Sequence, residues 1–109
     1  MKNDRVYLQH IRDSIVHIEN FIQDIDEKTF CRNALVYSAV IRQLEIIGEA
    51  VKNLSVDFRK GHKHIPWKDV AGLRDKLIHG YFGVDNLLVW KICKKEIPEL
   101  EKFIQEILG

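Results

Sequence analysis

Isoleucine recurs in the first quarter of the chain at a spacing that places every copy on one face of a helix. The positions advance by 4, 3, 4 and 3 residues: Ile11, Ile15, Ile18, Ile22 and Ile25. A helix completes one turn in about 3.6 residues, whereas a strand would require strict alternation. The pattern predicts a first helix over about residues 4–26, and Thr29 is placed to cap the next helix.

The same periodicity continues beyond this segment. A second helix is predicted over about residues 30–54, because apolar residues again follow helical spacing: Val40, Leu44, Ile47, Val51 and Leu54. Gly48 lies beside this stripe and indicates the close approach of another helix, since a glycine within a helix otherwise costs up to about 1 kcal/mol. Residues 55–65 break the pattern.

Proline, glycine and aspartate mark the remaining helix ends. Pro66 suits the first turn of a third helix, where its missing amide has no partner to lose, and Gly80 is placed to end that helix. Asp85 suits the N-cap of a last helix, and Pro98 predicts a kink or a split near Glu96. The predicted inward residues of these two helices are Trp67, Val70, Leu73 and Leu77, then Leu87, Trp90, Ile97, Leu100, Ile104 and Ile107.

No segment alternates with a period of two, so the predicted fold class is all-α: a bundle of four to five helices, two of them long and antiparallel. The 109 residues, 46% apolar and 30% charged, suit one globular domain. The longest run without a charged residue, 33–41, is too short to span a membrane. The polar start predicts no secretory signal, and Cys31 and Cys93 are expected to be reduced, so we expect a cytoplasmic protein. The net charge of +1 argues against indiscriminate coating of nucleic acid.

Residues 74–81 are the segment most suggestive of chemistry, because they combine Arg74, His79 and Tyr81 at a predicted helix end. A guanidinium binds phosphate oxygens in pairs, and an imidazole transfers protons near neutral pH. RNA carries its own nucleophile, the 2′-hydroxyl, so this pair would need no metal ion. One His does not readily serve as both base and acid, and a symmetric dimer would supply two. The alternative is structural: surface charge beside a helix end.

The R-x4-H-x-Y pattern of residues 74–81 resembles the motif of the HEPN superfamily, and its surroundings resemble the HepT group within it. The supporting runs are Ile47-Gly48-Glu49-Ala50, Ile65-Pro66-Trp67, Tyr81-Phe82-Gly83-Val84-Asp85 and Val89-Trp90. The likeness extends from about residue 5 to residue 108, so residues 1–109 are expected to form a single HEPN domain.

This resemblance implies an all-α homodimer that acts as a metal-independent ribonuclease toxin, with the motifs of two subunits in one composite cleft. It also implies a cognate antitoxin, a minimal nucleotidyltransferase of the MntA type, which silences the toxin of such a type VII-like pair by transferring AMP to the motif tyrosine. By position, Arg74 would bind the phosphate, His79 would be the acid–base residue and Tyr81 would accept AMP. No cofactor and no metal site are expected, and assembly beyond a dimer with the antitoxin stays open.

Several other residues keep two interpretations. Asp75 stands where many HEPN proteins have Asn, and it either holds the guanidinium of Arg74 or weakens its pull on phosphate. The polar stripe of the second helix, with Arg42 and Glu49, is either a solvated face or part of the cleft lining, together with Asp75 and Lys76. Residues 59–76 carry six basic and two acidic side chains, which suit either an RNA-backbone footprint or an exposed loop.

A second function class is also compatible with the sequence. The chain would then be a non-catalytic helical partner, or the substrate-binding subunit, of a minimal nucleotidyltransferase. Tyr81 would be a modification or contact site in that case, and Asp75 with the modest net charge favours this interpretation.

Overall fold

The computed structural model describes residues 3–77 and 85–109, without the side chain of Arg74. The predicted all-α class is confirmed, and within the described residues the helices are more finely divided than predicted. They are α1 (Asp4–Ile22), α2 (Glu27–Arg32), α3 (Ala34–Lys52), α4 (Val56–Gly61), α5 (Trp67–Ala71), α6 (Leu73–Leu77), α7 (Asn86–Lys91), a π-helical turn (Ile92–Glu96) and α8 (Ile97–Leu108).

Helices α1 and α3, each of 19 residues, form the centre of the bundle. They run antiparallel, since Asp4 at the start of α1 binds Ser55, just beyond the end of α3. Both predicted apolar stripes meet in this seam, and α8 covers it. The fully buried side chains include Ile11, Ile15, Ile18, Val40, Leu44, Ile47, Ile97 and Ile104. Each such side chain contributes about 1.5–3 kcal/mol when removed from water, which makes this seam the main source of stability.

The first predicted helix ends earlier than its apolar stripe indicates, and the second predicted helix is divided into α2 and α3. Helix α1 stops at Ile22 because Asp24 adopts a left-handed backbone conformation with φ of 63°. The predicted capping role of Thr29 is wrong: Asp26 is the N-cap of α2, and its carboxylate accepts from the Thr29 amide at 2.8 Å. Asn33 interrupts the second predicted helix, because its side chain accepts from the Val36 amide at 3.1 Å and so starts α3.

The stretch predicted to be irregular contains a short helix. Ser55 caps α4 by accepting from the Phe58 amide at 3.0 Å. One and a half turns hold too few apolar residues to produce a recognisable stripe, which is why the sequence pattern missed this helix. Pro66 is the N-cap of α5, one residue before the predicted position, and Gly72 divides the predicted third helix into α5 and α6.

The last helical segment begins as predicted, because the Asp85 carboxylate accepts from the Leu88 amide at 3.0 Å. Leu87, predicted to face inward, is 43% exposed, and Val89, Ile92 and Cys93 take the interior positions. The predicted split near Glu96 is confirmed, because a π-helical turn ends there and the α8 geometry starts at Ile97. Pro98 lacks an amide hydrogen, and the π turn is one way for a helix to pass the carbonyl left without a partner.

Both cysteines are free, Cys31 half-buried and Cys93 buried. Among residues 3–77 and 85–109, no helix is both long and apolar enough to cross a membrane.

Candidate functional site

A groove of about 320 Å³ lies between α3 and the α5–α6 segment. We call it the α3–α6 groove. Its existence depends on Gly48, where an added Cβ would stand 3.1 Å from the carbonyl oxygen of Ala71. The predicted close approach at Gly48 is therefore confirmed, and it brings α6 beside the polar stripe of α3. The lining residues are Arg42, Glu45, Gly48, Glu49, Lys52, Ala71 and Asp75.

The charged side chains of the α3–α6 groove are partly paired along α3. Arg42 Nη1 lies 3.6 Å from Glu45 Oε1, and Lys52 Nζ lies 3.5 Å from Glu49 Oε2. The partners of each pair are one helical turn apart, and both cations are mostly exposed, so each pair contributes at most about 0.5 kcal/mol. An incoming phosphate can therefore recruit Arg42 or Lys52 at small cost.

The structure brings three of the predicted cleft residues together: Arg42, Glu49 and Asp75 line the same groove. Lys76 is exposed and is not among its lining residues. The backbone of Arg74 lies in α6, one residue before Asp75. The predictions for His79 and Tyr81 concern residues outside the described part of the chain.

The two described ends that flank residues 78–84 are joined by a hydrogen bond. The Asp85 amide donates to the Leu77 carbonyl oxygen at 3.1 Å, and Leu77 is the last residue of α6. This bond joins the end of α6, which carries Asp75, to the residue that precedes α7. The sequence pattern did not identify Ala71 as a groove residue. The only sequence signal at this position is a small side chain one turn after Trp67, which lets another helix approach closely.

Two perturbed acids lie away from the α3–α6 groove. Burial raises the pKa of Cys93 to about 12, so this thiol stays protonated and is a poor nucleophile at neutral pH. Partial desolvation raises the pKa of Glu19 to about 7, and a hydrogen bond and repulsion from Glu101 add to the shift. Within the described residues, no three His, Cys, Asp or Glu side chains gather as metal ligands.

Comparisons with known proteins agree on one family. The sequence profile described as "Ribonuclease HepT-like" matches residues 11–107. A "Putative RNase" of Caldanaerobacter subterraneus subsp. tengcongensis is 48% identical over 99% of this chain and 96% of its own length. A "Putative RNase" of Methanocaldococcus jannaschii is 48% identical over 95% of this chain and 90% of its own. The "Probable ribonuclease HepT" of Thermococcus cleftensis is 46% identical over 92% of this chain and 91% of its own. No solved structure gives a significant match.

Proposed function

Because the chain belongs to the HepT-like ribonuclease family, we propose that it is a metal-independent endoribonuclease toxin whose active site forms between two copies of the chain. The observation that carries the proposal is the R-x4-H-x-Y run, Arg74 to Tyr81, within the region that matches the family. The α3–α6 groove supports it, because this groove places cationic and carboxylate side chains beside the helix that carries Arg74.

The chemistry follows from the residue types. Arg74 binds the scissile phosphate and stabilises the charge that develops on its oxygens. One His79 takes the proton of the RNA 2′-hydroxyl, the 2′-oxygen attacks phosphorus, and the bond to the 5′-oxygen breaks. His79 of the second copy gives a proton to the departing 5′-oxygen. The products are a 2′,3′-cyclic phosphate and a free 5′-hydroxyl, so atoms and charge balance without a metal ion.

The face of α3 that points away from the core stripe supports the dimer. Its residues advance by 4, 3, 4 and 3 positions: Leu35, Ala39, Arg42, Ile46 and Glu49. Leu35 is 83% exposed, and Ile46 lies outside the apolar core of the described residues. The small side chain of Ala39 between them would let a second helix approach this face closely. Packing two such faces together would set the two α3–α6 grooves side by side.

The test is cleavage of a fluorescent single-stranded RNA in EDTA by the wild type and by His79→Ala. Loss of the acid–base group is expected to slow cleavage by about 10²–10⁴-fold, because general acid–base catalysis contributes that much. His10→Ala, which removes an exposed imidazole from α1, is the matched control and is expected to cleave like the wild type. Light scattering after gel filtration should give a dimer for all three proteins.

Equal cleavage by His79→Ala and the wild type would contradict the assignment of the site. A wild-type protein that leaves RNA intact would contradict the ribonuclease proposal and favour the non-catalytic partner of a nucleotidyltransferase.

We further propose that Tyr81 accepts AMP from ATP on a cognate MntA-like nucleotidyltransferase antitoxin: the phenolic oxygen attacks the α-phosphorus, the bond to the β-phosphate breaks, pyrophosphate leaves and the phenolic proton is released. Each transferred AMP places a negative phosphate in the segment just before the Asp85 cap, in a site that has to receive RNA phosphate. Co-expression with the MntA-like nucleotidyltransferase should increase the intact mass of the chain by about 329 Da for each AMP transferred, the mass of one adenylate residue. Tyr81→Phe should show no such mass increase. A wild type that loses its ribonuclease activity on co-expression without any mass increase would contradict the proposal.

A further inference from the structure

A second groove, formed by α4, the following loop and α5, carries a concentrated positive charge. It encloses about 680 Å³, and four of its lining residues are cationic: Arg59, Lys60, Lys63 and Lys68. No acidic side chain of the described residues belongs to its lining, and its floor is apolar, built from residues such as Pro66 and Trp67. We call it the basic groove.

The cations of the basic groove have no anionic partner in the described part of the chain. The ion pairs found there join Arg42 to Glu45 and Lys52 to Glu49, both on α3. Arg59 Nε is buried, and among the described residues it has no hydrogen-bond partner. A buried guanidinium nitrogen without an acceptor is costly, and no acceptor of the described residues offsets this cost at Arg59.

Contacts between α4, the following loop and α5 hold the basic groove in shape. The Trp67 indole donates from Nε1 to the His62 carbonyl oxygen at 3.1 Å, which ties α5 to the end of α4. The ring of Phe58 packs against His62 at 4.4 Å and against Trp67 at 5.9 Å between centroids. Because the backbone that carries the four cations is fixed, a ligand does not have to order it on binding.

The basic groove adjoins the candidate active site. Ala71 lines both the basic groove and the α3–α6 groove, so the two grooves adjoin at α5. A polymer that is cut beside α6 has to pass over a neighbouring surface, and this adjoining surface presents four cations. An acidic protein segment would match the charge but would give no reason for the position of the basic groove beside the candidate active site.

We propose that the basic groove binds the sugar–phosphate backbone of the RNA strand that extends from the cleavage site. This inference rests on the proposed ribonuclease function. Lys60, Lys63 and Lys68 neutralise successive phosphates, Arg59 donates to a phosphate oxygen, and the apolar floor accepts ribose and base faces. Binding at this groove is sequence-independent, because it reads the backbone and no base edge.

The test measures binding of a fluorescein-labelled 16-nucleotide 2′-O-methyl oligouridylate by anisotropy. This probe lacks the 2′-hydroxyl, so it reports binding whether or not the protein cleaves RNA. Lys60→Glu/Lys63→Glu is expected to weaken binding at least about tenfold. The loss of two phosphate contacts should also reduce the slope of log affinity against log salt by about 1.4.

Two matched variants control for net charge and for folding. Lys28→Glu/Lys102→Glu makes the same change of net charge at exposed positions of α2 and α8. Its affinity for the probe is expected to differ from that of the wild type by less than about twofold, which measures the effect of net charge alone. Lys60→Arg/Lys63→Arg keeps the charge and should bind like the wild type.

Wild-type affinity and salt slope in Lys60→Glu/Lys63→Glu would overturn the inference. The inference would also be overturned if Lys60→Glu/Lys63→Glu bound RNA like the wild type but lost a binding to poly-glutamate that the wild type shows. The groove would then serve an acidic protein. Neither outcome depends on cleavage, so a failure of the inference is distinguishable from a failure of the ribonuclease proposal.

Discussion

Helix α1 carries a carboxylate near each end, and the two carboxylates meet opposite kinds of partner across the bundle. Asp4 faces donors: its Oδ1 accepts from the Ser55 amide at 2.7 Å and its Oδ2 from the Ser55 hydroxyl at 2.8 Å. Glu19 faces another acid, Glu101 of α8, with which it shares a hydrogen bond. The first contact pairs a carboxylate with hydrogen-bond donors, whereas the second places two carboxyl groups together.

This difference separates two parts of the bundle that are stabilised in different ways. The seam between α1 and α3 is held by apolar side chains, which depend little on either contact. In the corner formed by α4, the following loop and α5 (residues 56–71), Ile65, Trp67 and Val70 are buried, but α4 itself contains no buried side chain. A six-residue helix does not form in isolation, so α4 depends on its Ser55 cap and on the Asp4 carboxylate that holds Ser55. Arg59 and Lys60, the two cations of the basic groove that lie on α4, are therefore positioned through Asp4.

The largest expected effect is that of Asp4→Ala at neutral pH. The substitution removes two charge-assisted hydrogen bonds and leaves the part-buried Ser55 amide without its acceptor. We expect the free energy of unfolding to fall by about 1–3 kcal/mol, the range for such bonds, as measured by urea denaturation. Oligouridylate binding should weaken as well, because α4 loses its anchor.

Asp13→Ala is the matched control for Asp4→Ala. Asp13 also lies on α1 and is exposed, and no hydrogen bond or ion pair within the described residues involves it. Its removal is expected to change the free energy of unfolding by less than about 0.5 kcal/mol. Similar values for the two variants would show that the Asp4–Ser55 contact does not hold the corner.

The contrast between seam and corner also explains which parts of the fold are predictable from sequence. The helices α1, α3 and α8 are long enough for apolar residues to recur several times, so their periodicity is informative. Helix α4 has no such stripe, and its anchor joins residues 51 positions apart. No local pattern reports a contact of that separation. The divisions at Asn33 and Gly72 depend on single residues whose effect is decided by packing.

The candidate site was predictable only in part, for a related reason. Helical spacing on α3 placed Arg42 and Glu49 on one polar stripe, and the α3–α6 groove contains both. The spacing does not say which helix lies opposite, and Gly48 indicated only that some helix approaches closely there. Of the charged residues at positions 59–76, Arg59, Lys60, Lys63 and Lys68 line the basic groove, and Asp75 lines the α3–α6 groove. The roles of Arg74, His79 and Tyr81 rest on family resemblance and stay predictions.

The smallest expected effect, of opposite sign, is that of Glu19→Gln. The pKa of Glu19 is raised from 4.5 to about 7 in the folded state, so the folded protein holds a proton that the unfolded chain has released. The stability that this proton provides is complete below about pH 4.5 and is lost as the pH rises through about 7. Above that pH two ionised carboxylates face each other across α1 and α8.

A glutamine at position 19 keeps a donor for Glu101 and cannot ionise, so Glu19→Gln should unfold at a higher temperature than the wild type at about pH 8. The gain is expected to stay below about 1 kcal/mol, because the side chain is largely exposed and solvent screens the repulsion. At about pH 4.5 the two proteins should unfold at the same temperature. Asp13→Asn, on the same helix, should show no such pH-dependent difference, and a constant offset between Glu19→Gln and the wild type across this pH range would contradict the shared proton.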